Sequence, residues 1–476
     1  MKNTKIVATI SDIRCEPDFL RTLYEQGMNV VRLNTAHMTP ESAIPLIENV
    51  RKVSEKLAIL VDTKGPEIRT RLRAEDAENG IPVAVGDLVE LSGNLERTPT
   101  QGRKAFGISY DKFHVEIPVG TKVLVDDGET EFTVVEKHDD YVLCHVENEG
   151  KIKKNKSINT PGFTVNLPSI SEKDHKFIEF AAEAGVDFIA HSFVRNAQDV
   201  IDVQKILDAK KSPIKIIAKI ENLEGVERID EILDHAYGVM VARGDLGIEV
   251  AAEKIPGYQR LLIERCVERK KPVIVATQML HTMIDNPRPT RAEVSDIANA
   301  IYSNTDAIML SGETTYGAYP VEAVKIMNKI ALEVEKTKEA KDNIAIPAVD
   351  GEPAAFLAES AYEASKQLDD VKAIVTNTKT GKTARYLAAF RGEKKVYAQC
   401  YDATTARQLA LSYGVYADVF TPDETRSTMV SNALQGLTKT GVIKEDDKVV
   451  YIGGSFGIGG GSTFMEISEA KKLIKK

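Results

Sequence analysis

The stretch KIIAKIENLEGVERIDEILDHAYGVMVARGDLGIEV, residues 215–250, decides the architecture. It opens on an apolar run, Ile216-Ile217-Ala218, that turns at once to Lys219 and Glu221. A polar helical pattern spans 225–233, and a second apolar run, Val239-Met240-Val241, ends in Arg243, Gly244 and Asp245. Two buried strands joined by a helix, each shedding polar residues at its C-terminal end, make a βαβ unit with a reactive edge. One lysine and two carboxylates at that edge point to a divalent metal beside a transferring anion.

Working outward, the same rhythm recurs on both sides. Upstream, strands are predicted over 5–10, 29–34 and 58–63, with helices over 16–27 and 40–57 between them. Downstream of a helix at 172–185, strands are expected at 188–194, 272–277 and 307–311, with helices at 257–269, 291–302 and 321–336. With the opening pair this gives eight βα strands, the count of a closed (β/α)₈ TIM barrel, whose chemistry sits at the C-terminal strand ends. Those ends read Arg32-Asn34-His37, Asp62-Thr63-Lys64, Ser192-Arg195, Lys219-Glu221, Arg243-Asp245, Thr277-Gln278 and Ser311-Glu313. A purely structural barrel has no need of polar residues at seven of its eight mouths.

The barrel is interrupted. From about residue 67 to 160, alternating runs such as VGDLVELSG, TKVLVDDG and TEFTVVEK, punctuated by Gly and Asp, predict an all-β insertion with hairpins and no helix. From about 343 a third unit alternates helices and strands as an open, doubly wound α/β sheet does, with strands at 371–376, 395–400, 415–420 and 448–452. The expected division is therefore barrel at 1–66 and 161–342, inserted β lid at 67–160, and C-terminal α/β effector domain at 343–476.

Composition narrows the class. With 476 residues, 43% hydrophobic and 28% charged, the chain has the profile of a soluble globular enzyme of several domains. A net charge of −9 argues against a general nucleic-acid binder. The four scattered cysteines form no metal-ligand spacing and fit a reducing cytosol. No signal segment is read before the strand-like KIVATI, and no apolar run reaches membrane-spanning length, so a cytoplasmic protein is expected.

Glu221 and Asp245 can hold one Mg²⁺ (or Mn²⁺) and leave positions for substrate oxygens, while Lys219 places positive charge on a phosphoryl group. A surface salt-bridge cluster is the plain alternative. Gly244 and Asp245 precede a short helical turn whose N–H groups suit a carboxylate. Arg32, Asn34 and His37, with Asp62, Thr63, Lys64 and Arg69 on the next strand, suit polyphosphate oxygens together with a cation. In the third unit, Thr378-Lys379-Thr380-Gly381-Lys382-Thr383 runs straight into a helix and makes a candidate anion loop; a solvated, capped turn explains it equally well. The run GGSFGIGGG at 453–461 fails the context of a dinucleotide fingerprint and reads as a second phosphate-contacting loop.

At these residues the chain resembles the pyruvate kinase family over essentially its whole length. VDTKGPEIRT (61–70), VDDG (125–128), KIEN (219–222), MVARGDLGIE (240–249), VATQML (275–280), NPRPTRAE (286–293) and LSGET (310–314) match the family's motifs in order. The resemblance implies transfer of the phosphoryl group of phosphoenolpyruvate to ADP, followed by protonation of enolpyruvate to pyruvate. It implies Lys219 on the transferring phosphoryl group, Glu221 and Asp245 on Mg²⁺, and Gly244, Asp245, Thr277 and Ser192 on the substrate. Thr277 and Ser311 fall on the proton relay. Arg32, Asn34, His37, Arg69, Lys156 and Asp127 fall on the nucleotide side, and Asn34, Asp62 and the Thr63 carbonyl on a K⁺ site, with Glu67 as in potassium-dependent members. It further implies a homotetramer and a sugar-phosphate or AMP activator at 378–383. Three positions depart from the family: Ala36 where a serine supplies a potassium ligand, Ser11-Asp12 in place of Gly-Pro, and Tyr316 where many members carry lysine. Two rival readings are a Mg²⁺-dependent barrel lyase acting on pyruvate or oxaloacetate, and a sugar-phosphate sensor that has lost catalysis. The first leaves the insertion, Arg69 and Lys156 without a task, and the intact Lys219-Glu221-Asp245 set opposes the second.

Overall fold

The computed structural model describes residues 1–338, 352–419, 426–454 and 461–474. Eight parallel strands close into a barrel: β1 (Lys5–Thr9), β2 (Val30–Asn34), β3 (Ala58–Asp62), β4 (Phe188–His191), β5 (Lys215–Ile220), β6 (Gly238–Ala242), β7 (Val273–Ala276) and β8 (Ala307–Leu310). Each follows its sequence neighbour around the ring, and β8 pairs back onto β1. The strands are apolar on both faces because both are covered. Val7, Leu60, Ile217 and Met240 fill the interior, while Ile6, Val61, Ile216 and Val241 pack against the helices. The connection expected as one helix at 225–233 is two short ones, Leu223–Glu227 and Ile229–His235, broken at Arg228.

Between β3 and β4 the chain leaves the barrel to build a second closed barrel of seven short strands, with the core residues Val89, Ile108, Val123, Phe132 and Val142. A two-stranded ribbon of Ile81–Val83 and Gly150–Ile152 lies beside it. One expectation needs correcting, because this unit does carry a helical turn, Phe113–Glu116, anchored by the buried Phe113. Four residues are too few to show a 3.6-residue period, so pattern reading passes over it.

The C-terminal unit is a five-stranded sheet: β9 (Val371–Thr378), β10 (Lys395–Cys400), β11 (Val415–Val419), β12 (Lys448–Gly454) and β13 (Ser462–Glu469), in the order β11-β10-β9-β12-β13. The first four are parallel, whereas β13 runs antiparallel along the edge. The sequence reading does not foresee β13: only Ser462 of STFMEISE is buried, and the stretch lacks the apolar run of a buried strand. Most of the second candidate phosphate loop, 455–460, lies outside the described residues, as do the expected boundary at 343 and the last residue of the strand read at 415–420.

This unit plugs the N-terminal end of the barrel. Leu411 joins the barrel's interior cluster with no exposed surface. Lys5 of β1 donates to the Val415 carbonyl at 2.5 Å, and Tyr237, just before β6, donates to the Gln408 carbonyl at 3.2 Å. Arg407 reaches Asp187 before β4 at 2.6 Å, and Arg391 reaches Asp306 before β8 at 2.6 and 3.1 Å. The opposite end, where polar residues collect, is left to the lid.

Candidate active site

The Lys219 side chain leaves the last turn of β5 toward the barrel mouth and is almost wholly enclosed. Its Nζ lies 2.9 Å from Asp62 Oδ1, 2.6 Å from Ser192 Oγ and 3.0 Å from Glu221 Oε1. Asp62 in turn accepts from Arg32 Nε at 2.6 Å, and Arg32 also donates to Thr9 Oγ1 at 2.9 Å. Residues from five strand ends therefore meet around one lysine.

Burial opposes the charge on Lys219, yet Asp62 and Glu221 outweigh it and hold the ammonium above its ordinary range. Burial likewise pushes the Asp62 carboxyl up, and Arg32 with Lys219 pulls it below the usual carboxylate value. Glu221 goes the other way: burial raises it, Lys219 only partly offsets that, and the neighbouring Asp245 adds repulsion. Asp245 is raised by burial against the pull of Lys219, with Asp127 and Glu67 of the lid side adding to the rise. Three carboxylates, Asp62, Glu221 and Asp245, thus face two cations, Arg32 and Lys219. A hard cation with few protein ligands fits that imbalance and that oxygen donor set. Among the described residues no group of three or more His, Cys, Asp or Glu side chains gathers as a metal cage.

The backbone around these groups is held in uncommon conformations. Phe193 sits at φ +55° and donates its N–H to Glu221 Oε2 at 2.6 Å. Against its ring lies Gly65 at φ +75°, where the chain turns out toward the lid; a Cβ there would come within 2.6 Å of the ring. Thr277 sits at φ +68°, a genuine outlier for a β-branched residue and costing roughly 1–3 kcal/mol. Its hydroxyl donates to the Ala276 carbonyl at 2.6 Å and accepts the Gly244 N–H at 2.9 Å. Arg243 clamps the same turn, donating to the Ala276 and Thr277 carbonyls at 3.1 and 2.6 Å while Asp296 anchors it at 2.7 Å. Ser311 is fixed by Glu313, whose two oxygens accept the Ser311 and Leu280 N–H groups and so tie the β7 and β8 mouths together.

The nucleotide-side candidates are less tightly gathered. Asn34 stands directly opposite Asp62 in the β2–β3 register, but its Oδ1 accepts the Ala36 N–H at 3.2 Å and caps the turn Thr35–His37. The Thr63 carbonyl accepts from Ser192 Oγ at 2.6 Å. His37 is exposed. Arg69 forks onto Glu67 at 2.6 and 3.0 Å, and Lys156 pairs with Asp126 at 2.8 Å, both at the base of the lid. Asp127 accepts from Ser157 Oγ and, with Glu67, Asp245, Phe193 and Glu249, lines a cavity of about 130 Å³ between lid and barrel.

Within the C-terminal candidate loop, Gly381 takes φ +73° and its N–H donates to Thr378 Oγ1 at 2.9 Å. Lys382 pairs with Glu352, the Thr383 hydroxyl meets that of Ser462 at 2.7 Å, the Thr380 carbonyl accepts from Arg385, and Lys379 is exposed.

Sequence reasoning gave no task to Arg243, Asp296, Glu313 or Asp174. Asp174 is fully buried and accepts the Lys64 and Gly65 N–H groups at 2.8 and 3.1 Å, which pins the exit to the lid. Its only sequence signal is that of a cap, three residues after Ser171.

Two family models cover most of the chain: the pyruvate kinase barrel domain over residues 1–324 and the pyruvate kinase alpha/beta domain over 356–468. The chain belongs to the pyruvate kinase family. It is 49% identical to the pyruvate kinase of Borreliella burgdorferi, covering all of this chain and 98% of the relative. The pyruvate kinase of Geobacillus stearothermophilus is 42% identical over the whole of this chain and 81% of its own length. A crystal structure of a pyruvate kinase from Cryptosporidium parvum superposes with a TM-score of 0.91 at 34% identity, over 98% of this chain and 96% of that one. The chain is thus a phosphotransferase acting between phosphoenolpyruvate and ADP, and the lyase and sensor readings are not favoured. No helix among the described residues is long and apolar enough to cross a membrane.

Proposed function

We propose that the phosphoryl group of phosphoenolpyruvate rests against the Lys219 ammonium, between the acid pair Glu221–Asp245 and the nucleotide side at Arg32. The excess of carboxylates over cations around Lys219 carries this reading. A divalent cation, Mg²⁺ or Mn²⁺, held by Glu221 and Asp245 would supply positive charge to the enolate and phosphoryl oxygens. Lys219 stabilises charge on the transferring group, and Asp62 and Ser192 fix its ammonium, so little reorganisation is needed during transfer. Ser192, the Gly244 and Asp245 backbone and the Thr277 hydroxyl hold the substrate at its carboxylate end. Thr277 and Ser311 then deliver a proton to the methylene carbon of enolpyruvate. Arg32, Asn34, His37, Arg69, Lys156 and Asp127 serve the nucleotide, the last three reaching it as the lid closes and excludes water.

A monovalent cation, K⁺, fits between β2 and β3, where Asn34 and Asp62 are register partners and the Thr63 carbonyl follows. Ala36 offers no side-chain oxygen there, and Glu67 is engaged by Arg69. Restoring a hydroxyl in Ala36→Ser should lower the half-saturating potassium concentration by about threefold or more, on the scale of one added polar contact. Potassium titration of steady-state turnover checks this, and identical half-saturation in both proteins would sink it. We further assign the loop 378–383 to a sugar-phosphate or AMP activator, which must compete with Glu352 for Lys382, and the assembly to a cytosolic homotetramer.

A further inference from the structure

We propose that His191 is a positioning residue for Lys219: its imidazole accepts the Thr63 hydroxyl, and Thr63 in turn holds the Ser192 side chain that seats the ammonium. The inference rests on the placement of the phosphoryl group against Lys219 and deepens it, adding a group behind the mouth that touches no substrate.

His191 is the last residue of β4 and has no exposed surface. Phe188 and Ala190 of the same strand face the barrel interior, while Ile189 packs toward the helices. By the two-residue alternation of a strand, His191 shares the outer face with Ile189. It therefore stands behind the ring of polar strand ends. The two carboxylates that act on its charge, Asp174 and Asp199, are engaged elsewhere. Asp174 accepts the Lys64 and Gly65 N–H groups, and Asp199 accepts the Arg195 backbone and guanidinium. Nε2 meets no hydrogen-bond partner among the described residues. The ring is held through Nδ1, which lies 3.4 Å from Thr63 Oγ1.

The direction of that bond follows from what Thr63 already does. Its Oγ1 accepts the Ser192 N–H at 3.0 Å, so the buried hydroxyl proton needs an acceptor of its own. Among the described residues His191 Nδ1 is the one within reach. Burial keeps the imidazole neutral, which leaves Nδ1 a lone pair and puts the ring proton on Nε2. The Thr63 N–H is tied to the same strand, donating to the Ala190 carbonyl at 3.0 Å.

Ser192 is where this chain of contacts arrives. Thr63 fixes it twice, accepting its N–H on the hydroxyl and its Oγ–H on the carbonyl at 2.6 Å. Ser192 Oγ then accepts from Lys219 Nζ at 2.6 Å. The rotamer of Thr63 thus sets where Ser192 sits, and Ser192 sets where the ammonium sits. Threonine has few staggered wells to choose from, and the bond to Nδ1 selects one of them. Without it the hydroxyl turns to find another acceptor and Ser192 loses its seat, a misplacement that costs rate more than binding.

The test is steady-state kinetics on wild type, His191→Leu, His191→Asn, Thr63→Val and the double variant Thr63→Val/His191→Leu, with circular dichroism as the fold control. His191→Leu fills the space without an acceptor. It should lower kcat about tenfold, the rate equivalent of one buried hydrogen bond, with KM for phosphoenolpyruvate and ADP within about twofold. His191→Asn places an oxygen one bond from Cγ, as Nδ1 is, and should keep kcat within about threefold of wild type. In the Thr63→Val background, His191→Leu should cost less than about twofold more, because the contact it breaks is already gone. Should His191→Leu not fold, His191→Ala breaks the same contact and carries the same expectation. A kcat within about threefold of wild type without the acceptor, an equal loss in His191→Asn, a change confined to KM, or losses that multiply in the double variant each overturn the proposal. Lys219→Met separates this from the reading beneath it. A large loss there with none in His191→Leu removes the role of His191 alone, whereas unchanged turnover in Lys219→Met removes the phosphoryl placement as well.

Discussion

Lys219→Met should lower kcat by at least about 10³-fold while leaving the fold intact, because the proposed role sets one buried charge against the group being transferred. Methionine has similar length and no charge, so the barrel mouth keeps its packing. What disappears is, among the described residues, the one cation paired with both Asp62 and Glu221. Asp62 keeps Arg32, whereas Glu221 is left with the Phe193 N–H and its side-chain hydrogen bond with Asp245. The loss should appear equally in kcat and kcat/KM, the pattern of an interaction made in the transition state. A coupled assay of pyruvate formation, with circular dichroism as the fold control, reads both. A kcat within threefold of wild type would dismantle the assignment of Lys219.

The second large effect lies at the other end of the barrel. Arg391→Met should destabilise the protein by about 3–5 kcal/mol, the range for stranding one partner of a buried ion pair. Arg391 and Asp306 are 2% and 3% exposed at their side chains, and the guanidinium also satisfies the Asn304 and Ala388 carbonyls. Asp306 additionally accepts the Tyr413 and Val273 N–H groups, so the lost charge pair sits at the seam between barrel and C-terminal sheet. The double variant Arg391→Met/Asp306→Asn removes the stranded charge and should recover a substantial part of the loss. Urea unfolding followed by tyrosine fluorescence measures both proteins. A shift below about 1 kcal/mol in the single variant would show that the pair contributes no more than a surface bridge.

The barrel was legible because each of its strands is an apolar run buried on both faces, and seven of the eight spill polar residues at one end. Lys219, Glu221 and Asp245 were legible for the same reason, since strand ends in a barrel converge. What remained hidden depends on contacts distant in sequence. Asp62 reads as a cation ligand, yet it is the hub that Arg32 and Lys219 share. Arg243 reads as one more polar mouth residue, but it holds Thr277 at a positive φ through two carbonyls some thirty residues on. Asp174 reads as a helix cap and also pins the lid's exit. The edge strand β13 and the turn Phe113–Glu116 escaped because one buries a single residue and the other is too short for any period to show.

The Lys219 site stands or falls most directly on divalent-ion affinity, measured apart from turnover. Titration of the protein with Mn²⁺, read by the loss of the free ion's paramagnetic resonance signal, compares wild type with Glu221→Gln and Asp245→Asn. Both variants remove a charged oxygen donor and restore the balance between carboxylates and cations. Each should raise the Mn²⁺ dissociation constant at least about tenfold, or about 1.4 kcal/mol. Unchanged Mn²⁺ affinity in both variants would contradict a metal held between β5 and β6.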